Sequence, residues 1–529
     1  MGLKEKLLKY YNISEDELKE RSLPPSSSLI LDPKIHFKGF NEAIDLIKKH
    51  VSNKSKIYIY GDYDVDGMTS TSILYYALKE IGGDVLYSLP SRYKYGYGLV
   101  KNAVDEIYSK GIKLLITIDN GISAFEAVEY ARELGMDVLI IDHHTPQDKL
   151  PRANNIIHWQ VGEYTSYNIS AAFLALLVSY SLLGKYVSYL VCLAGIAVFA
   201  DQMKMIEMNL NIAKYALLYI NKIRPLKLTL LLGQDKPRYT SSDINFNLIS
   251  SLNSLGRVDI GDDINLAIEY LTSKSEERIR KLYSKINEIS LKKKELAKAG
   301  RIEANSRDLL APIIIEKFDS MQVGLIGLIS TSLSSALNKP VICFAASKEN
   351  EGELVGSGRA PEGIDLYGIL EKYSSSYVHF GGHKQALGVT IKKDDFSDFK
   401  NKISQEYSTF NYVIPTKKYI LLDESDLDIG SFDILNEFEP FGQEFESPLY
   451  CFKINPSKLK FSRDGNHIII NFNNYRGGFN YFNFPRDILD KSEDLYFKGK
   501  FDLSYYKGRA SAKFVAEGLL DLKKAEIIK

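Results

Sequence analysis

Three short apolar runs, Ile57–Tyr60, Leu114–Ile118 and Val138–Ile141, each run directly into acidic side chains, and helix-patterned stretches lie between them. Short apolar runs alternating with helices read as strands of a parallel sheet buried on both faces, so the fold class is α/β. The first run leads through Gly67 into a helical stretch from Met68 to Ile81 that stops at Gly82 and Gly83, and the second into a helix over Ser123–Leu134. In open α/β sheets ligands sit beyond the carboxyl ends of the strands. Here those ends carry Asp62, Asp64 and Asp66, then Asp119, then Asp142 with His143 and His144.

Three carboxylates at alternate positions of one turn repel and raise one another's pKa unless a cation neutralises them. The string resembles part of a calcium loop, but the downstream Glu and the flanking helix pair of an EF-hand are missing. Neutral imidazole beside hard oxygen ligands suits a first-row ion such as Mn²⁺ better than Ca²⁺. Asp201 closes the apolar run Leu193–Ala200, where a lone carboxylate is expensive to bury, and completes the candidate ligand set. Any one of these acids alone reads as a helix cap or turn residue; their concentration in one βα region points to a metal site.

The chain has 529 residues, enough for several cores, with 45% hydrophobic and 25% charged residues, as in an ordinary globular protein. Basic and acidic side chains both number 67, so a polyanion would have to be met by local clusters rather than by net charge. Cys192, Cys343 and Cys451 are too far apart for a disulfide framework or a thiolate site, which fits a reducing cytoplasm. Met1–Arg21 lacks a signal-peptide core, and Gly184 with Lys185 split the apolar region Ile169–Ala200 into two buried helices, each too short to span a bilayer. The expected organisation is a leader over residues 1–45, a parallel-sheet catalytic domain over 46–262 and a long connecting helix over 263–307. A smaller mixed α/β domain over 308–410 and a C-terminal β-barrel of the OB type over 411–529 follow. The basic run Lys292, Lys293, Lys294 on the connecting helix reads as a solvated face.

The segments Gly61–Thr69, Asp119-Asn120-Gly121, Asp142-His143-His144 and Asp201 resemble the four ordered motifs of the DHH phosphoesterase superfamily. Pro90-Ser91-Arg92, Gly96-Tyr97-Gly98-Leu99 and Leu252–Arg257 are similar to its RecJ-type single-stranded-DNA exonuclease branch, and Gly356–Arg359 with Gly381-Gly382-His383 resemble the DHH-associated domain. The resemblance implies a substrate domain beside the catalytic one and two divalent cations, Mn²⁺ preferred and Mg²⁺ accommodated. It implies Asp62, Asp64 and Asp119 around one ion and Asp66, Asp119, His143 and Asp201 around the other, with Asp119 shared. His144 would face the scissile phosphate, and Asp142 would orient a histidine. Arg92, Asn253, Arg257, Ser357 and Arg359 match substrate-binding positions, four of which (Arg92, Arg257, Ser357, Arg359) would hold a 5′-terminal phosphate and set cleavage 5′ to 3′ with release of mononucleotides. His383, in a Gly-rich turn, reads first as a structural turn histidine and second as a DNA contact.

The implied partners are single-stranded DNA and, beyond it, a single-strand-binding protein or a helicase, without a membrane; a monomer is expected. Departures are Gln443-Glu444-Phe445 after Pro440-Phe441-Gly442, Ser251 in place of a proline before Leu252, and an atypical fourth motif, Phe199–Met203; none removes a candidate ligand. The C-terminal aromatics Phe472, Tyr475, Phe479, Tyr481, Phe482 and Phe484, with Lys498, Lys500, Lys507 and Arg509, read either as a base-stacking surface or as barrel core. Two competing functions share the motifs: a phosphodiesterase for short RNA oligomers or cyclic dinucleotides, and a catalytically inactive replication scaffold.

Overall fold

The computed structural model describes residues 1–30, 32, 37–91, 98–161, 168–233, 235–259, 264–305, 309–348, 350–408, 415–472, 477–482, 484, 494–506 and 509–529. Contacts divide the chain into two units, Pro25–Val413 and a second made of Met1–Pro24 with Ile414–Lys529. The leader expected over residues 1–45 is therefore shared between them.

In the larger unit, β1 (Lys56–Tyr60), β2 (Asp84–Ser88), β3 (Leu114–Ile118), β4 (Asp137–Ile141) and β5 (Asn155–Ile157) form an all-parallel sheet in the order β2-β1-β3-β4-β5. The order reverses between β1 and β3, so the chain leaves these neighbours in opposite directions and opens a crevice at their carboxyl ends. β3 is buried along its whole length, as expected for a strand covered on both faces. The helix expected from Met68 begins at Val65, because the Asp64 side chain accepts from the Gly67 amide at 3.0 Å and caps it. The apolar region divides into helices Ala171–Leu183 and Ser188–Ala200, with Gly184 in the left-handed region at φ 69° ending the first. Among the described residues no helix is long and apolar enough to cross a membrane.

The expected connecting helix is interrupted. Leu266–Thr272 ends at Ser273, whose extended backbone breaks the register, and Glu276–Asn305 restarts beyond Ser275, whose hydroxyl accepts from the Arg278 amide. Beyond it, β6 (Ile314–Phe318), β7 (Val341–Ala346), β8 (Glu353–Arg359), β9 (His379–His383) and β10 (Ala386–Lys392) form a mixed sheet ordered β6-β7-β8-β10-β9. Its core gathers Ile342, Phe344, Leu366, Val389 and Phe399.

The smaller unit corrects one expectation. Its strands β11 (Lys417–Leu422), β12 (Tyr450–Ile454), β13 (His467–Phe472), β14 (Gly477–Phe482), β15 (Leu495–Tyr506), β16 (Arg509–Leu519) and β17 (Ala525–Ile528) run β13-β14-β16-β15-β12-β11-β17. Among the described residues no pairing joins the edges β13 and β17, so the sheet is open rather than a closed barrel. A barrel covers its inner face with its own strands. Here Leu3, Leu7 and Leu18 from the N-terminal helices and Phe438 from helix Gly430–Phe438 enter the core instead, beside Phe452, Phe479, Phe497 and Phe514. Lys6 is buried in the same region, and its ammonium reaches Asp426 at 2.6 Å and Asp423 at 3.1 Å.

Candidate metal centre

The turn after β1 folds back on itself closely enough that a Cβ at Gly67 would stand 2.4 Å from the Asp62 carbonyl oxygen, so only glycine fits. This packs Asp62, Asp64 and Asp66 into one turn. Asp66 accepts from the amides of Ala171 and Ala172 at 2.7 and 2.8 Å, at the positive end of helix Ala171–Leu183. Asp119, directly after β3, adopts a left-handed backbone at φ 61°, a strained conformation for a residue with a Cβ. It is 1% exposed, and neither of its carboxylate oxygens has a hydrogen-bond partner.

After β4, the His143 Nε2 lies 3.1 Å from Asp119 Oδ1, 3.4 Å from Asp201 Oδ2 and 3.6 Å from Asp66 Oδ2. It too is buried without a hydrogen-bond partner. Asp201 stands at the carboxyl end of helix Ser188–Ala200. Three groups of donor atoms gather within 4.8 Å: Asp62, Asp64 and Asp119; Asp66, His143 and Asp201; and Asp119, His143 and His144. All six expected ligands therefore meet, and Asp119 belongs to two of the groups.

Burial and the neighbouring acids both work against charge here. Burial first, then Asp64, push the Asp66 carboxyl up to about 7. Burial, then Asp66 and Asp64, push Asp201 up to about 8, and burial followed by Asp66, Asp64 and Asp62 holds Asp119 well above the usual carboxylate range. Burial, with His144 next to it, brings His143 down to about 3, so this imidazole is neutral and free to donate a lone pair. Leaving such groups unmatched costs at least 1–3 kcal/mol apiece, by rough measure. Divalent cations remove that penalty, and the set of oxygens with one neutral imidazole nitrogen fits Mn²⁺ or Mg²⁺.

Asp142 and His144 form a different pair. Burial alone would raise the Asp142 carboxyl, yet the His144 ring at 2.8 Å and the amides of Ile122 and His144 hold it below its usual value. Burial opposes charge on His144 as well, but the hydrogen bond to Asp142 and the field of Asp201 and Asp62 raise it to about 9. His144 is thus a cation at neutral pH, 41% exposed at the side chain, while its carboxylate partner is buried.

His158 was missed in the sequence. Its Nδ1 accepts from the Gln160 amide at 2.9 Å, which leaves Nε2 to donate to the His144 carbonyl at 2.7 Å. The signal was present: His158 directly follows β5, as the other site residues follow β1, β3 and β4.

The substrate-binding candidates divide by location. Asn253 and Arg257 lie on helix Ser250–Arg257, which touches the acidic turn: a Cβ at Gly256 would stand 2.5 Å from the Tyr63 carbonyl oxygen. Ser357 and Arg359 lie on β8, with Gly327 of helix Val323–Leu337 close against both. Arg359 donates to Ser357 Oγ at 3.1 Å and to the Gly358 carbonyl at 2.7 Å, and burial lowers its pKa. Register places Arg359 opposite Ala386, and Ala386 opposite His383, so Arg359 and His383 share a row across three strands with only a methyl group between. Arg92 lies outside the described residues.

A strand-end cluster of this kind at the reversal point of a parallel sheet is a candidate centre for divalent cations. Residues 56–196 match the DHH family, N-terminal domain, and residues 311–409 match the DHHA1 domain. The chain is 31% identical over 424 residues to the single-stranded-DNA-specific exonuclease RecJ of Bacillus subtilis, covering 78% of this chain and 53% of that protein. It is 27% identical over 453 residues to the RecJ of Haemophilus influenzae, covering 78% and 77% of the two chains. The crystal structure of RecJ in complex with Mn²⁺ from Thermus thermophilus superposes with a TM-score of 0.78 at 22% identity, over 93% of this chain and 72% of that one. Residues 56–196 and 311–409 thus carry the DHH and DHHA1 domains, and the chain as a whole is similar to RecJ-type proteins. It spans about half the length of the Bacillus subtilis relative.

Proposed function

We propose that the chain is a metal-dependent exonuclease specific for single-stranded DNA, cutting from the 5′ end and releasing 5′-mononucleotides. The observation that carries the proposal is Asp119, a buried carboxylate with both oxygens unpartnered and reach to two donor groups. Asp62, Asp64 and Asp119 would hold one divalent cation and Asp66, Asp119, His143 and Asp201 the other, Mn²⁺ in preference to Mg²⁺. Such a pair supplies Lewis acidity to the attacking water and to the leaving oxygen of an in-line displacement.

The chain's own residues set the rest. Neutral His143 offers a lone pair rather than a proton. His144, held by Asp142 through Nδ1 at 2.8 Å, would donate from its ring to stabilise charge developing on the phosphate. Asp142 and His158 fix the ring and the backbone of His144 and have no need to touch substrate. Arg257, Ser357 and Arg359, with Arg92, would bind the 5′-terminal phosphate; the half-buried Arg359 fork, hydrogen-bonded to the Ser357 hydroxyl and the Gly358 carbonyl, suits a doubly charged oxyanion. Asn253 shares the helix of Arg257, and His383 the row of Arg359.

The single-stranded-DNA-specific exonuclease activity of the Bacillus subtilis and Haemophilus influenzae relatives, and the Mn²⁺ held by the Thermus thermophilus protein, support the same reading. In the C-terminal unit, exposed Phe482 and Lys498 support a surface that follows a strand as OB domains do, here carried on an open sheet. The deciding experiment gives the purified chain 5′-phosphorylated single-stranded DNA, duplex DNA, RNA and a cyclic dinucleotide with Mn²⁺, Mg²⁺ or chelator. Mononucleotides released from the single strand alone, and only with metal, are expected. Turnover confined to the dinucleotide, or no turnover with either metal, would replace the proposal with one of its competitors.

A further inference from the structure

The basic run on the long helix Glu276–Asn305 is not uniformly solvated: Lys292 and Lys294 are exposed, whereas Lys293 is buried at 7% exposure. Its ammonium donates to the Ser250 carbonyl oxygen at 2.7 Å and to the Ser250 hydroxyl at 2.9 Å. Both partners are neutral. An ammonium taken out of water without a carboxylate costs several kcal/mol, roughly, and a methionine of similar length would fill the space more stably. Burial, with Arg257 and Lys294 beside it, brings the amine down to about 8, which marks the same penalty and places the amine near Arg257.

Ser250 occupies a particular place. It is the residue at which the π-helical turn Ile244–Ile249 gives way to helix Ser250–Arg257. A π-turn inserts one extra residue, and one residue rotates everything after it by ~100° about the helix axis. The azimuth of Asn253 and Arg257 therefore depends on keeping that insertion, and π-turns are easily lost to the ordinary α-helix. At the far end of the same short helix, Gly256 rests on the Tyr63 carbonyl of the metal-binding turn. The helix is thus pinned at its start by Lys293 and at its end by the acidic turn.

We propose that Lys293 is a positioning residue for substrate: by clamping Ser250 it holds the π-turn and aims Asn253 and Arg257 at the 5′ end of the strand. The inference rests on the exonuclease reading above. It predicts that Lys293 governs how well the 5′ phosphate is held and leaves the metal centre alone.

The test measures kcat and KM with Mn²⁺ on the same single strand bearing a 5′ phosphate or a 5′ hydroxyl. Lys293→Met should raise KM for the phosphorylated strand about tenfold, keep kcat within about threefold and shrink the preference for phosphate over hydroxyl. Lys293→Arg should recover most of the loss. Ser250→Ala, which removes one acceptor without emptying the core, should shift KM in the same direction by about twofold, and it decides the matter should Lys293→Met not fold. A folded Lys293→Met with wild-type KM and wild-type 5′ preference overturns the inference, as does an unmoved KM in Ser250→Ala. Inactive wild-type protein in the same assay would remove the exonuclease reading and this inference with it, whereas an active wild type beside unmoved variants removes this inference alone.

Discussion

Two buried carboxylates, one in each unit, show what separates structure from chemistry in this chain. Asp426 is 6% exposed and receives the Lys6 ammonium at 2.6 Å, so its charge is answered within the protein. Asp119 is 1% exposed and its oxygens have no hydrogen-bond partner; the other carboxylates around it raise its pKa further. The first arrangement holds helix Leu3–Tyr11 to the C-terminal sheet, and the second leaves a carboxylate among other carboxylates with no hydrogen bond to meet it. Burial is common to both; what differs is that one carboxylate is met by an ammonium and the other by further carboxylates.

The contrast makes opposite predictions for substitution. Asp119→Asn should lower hydrolysis about 10³-fold or more while leaving the metal-free protein as stable as wild type or more so, since it removes one charge from a repelling cluster; initial rates and chelator-treated melts read both. Lys6→Met should do the reverse, costing about 3 kcal/mol of stability by stranding Asp426 while the metal site keeps its ions, as denaturant titration and Mn²⁺ binding would show. A similar loss of about 3–5 kcal/mol is expected from Phe479→Ala, because that ring packs against Phe452, Phe497 and Phe514 in the core. Asp142→Asn should slow turnover about 10- to 100-fold with both ions retained, because it loosens His144 and removes no ligand. The smallest change belongs to Phe482→Ala, within about 0.5 kcal/mol in stability; an effect on single-strand affinity would mark the exposed ring as a contact.

The residues that gather in the candidate site stood out in the sequence for a physical reason. A parallel strand is a near-continuous apolar run, so polar residues at its carboxyl end stand out, and Asp62, Asp119 and Asp142 each occupy that position. His158 follows the same rule but was hidden by the shortness of β5, only Asn155–Ile157. The C-terminal unit resisted because alternating aromatic strands look alike in an open sheet and in a barrel. The cover that leaves this sheet open comes from Leu3, Leu7 and Leu18, more than 390 residues away in sequence. The same limit hid Lys293: three consecutive lysines carry no mark of which one turns inward, and the π-turn that gives it a partner has no simple periodicity. Ser273–Ser275, read as part of one long helix, shows the remaining weakness, since a serine serves as readily inside a helix as at its cap.

Everything turns on the cluster around Asp119 binding a pair of ions, and calorimetric titration of the chelator-treated chain with Mn²⁺ measures that directly. Two ions bound per chain, with Asp119→Asn disturbing both, is the predicted result. A folded wild-type chain that takes up no Mn²⁺ or Mg²⁺ would mean that these carboxylates are tolerated for some other reason.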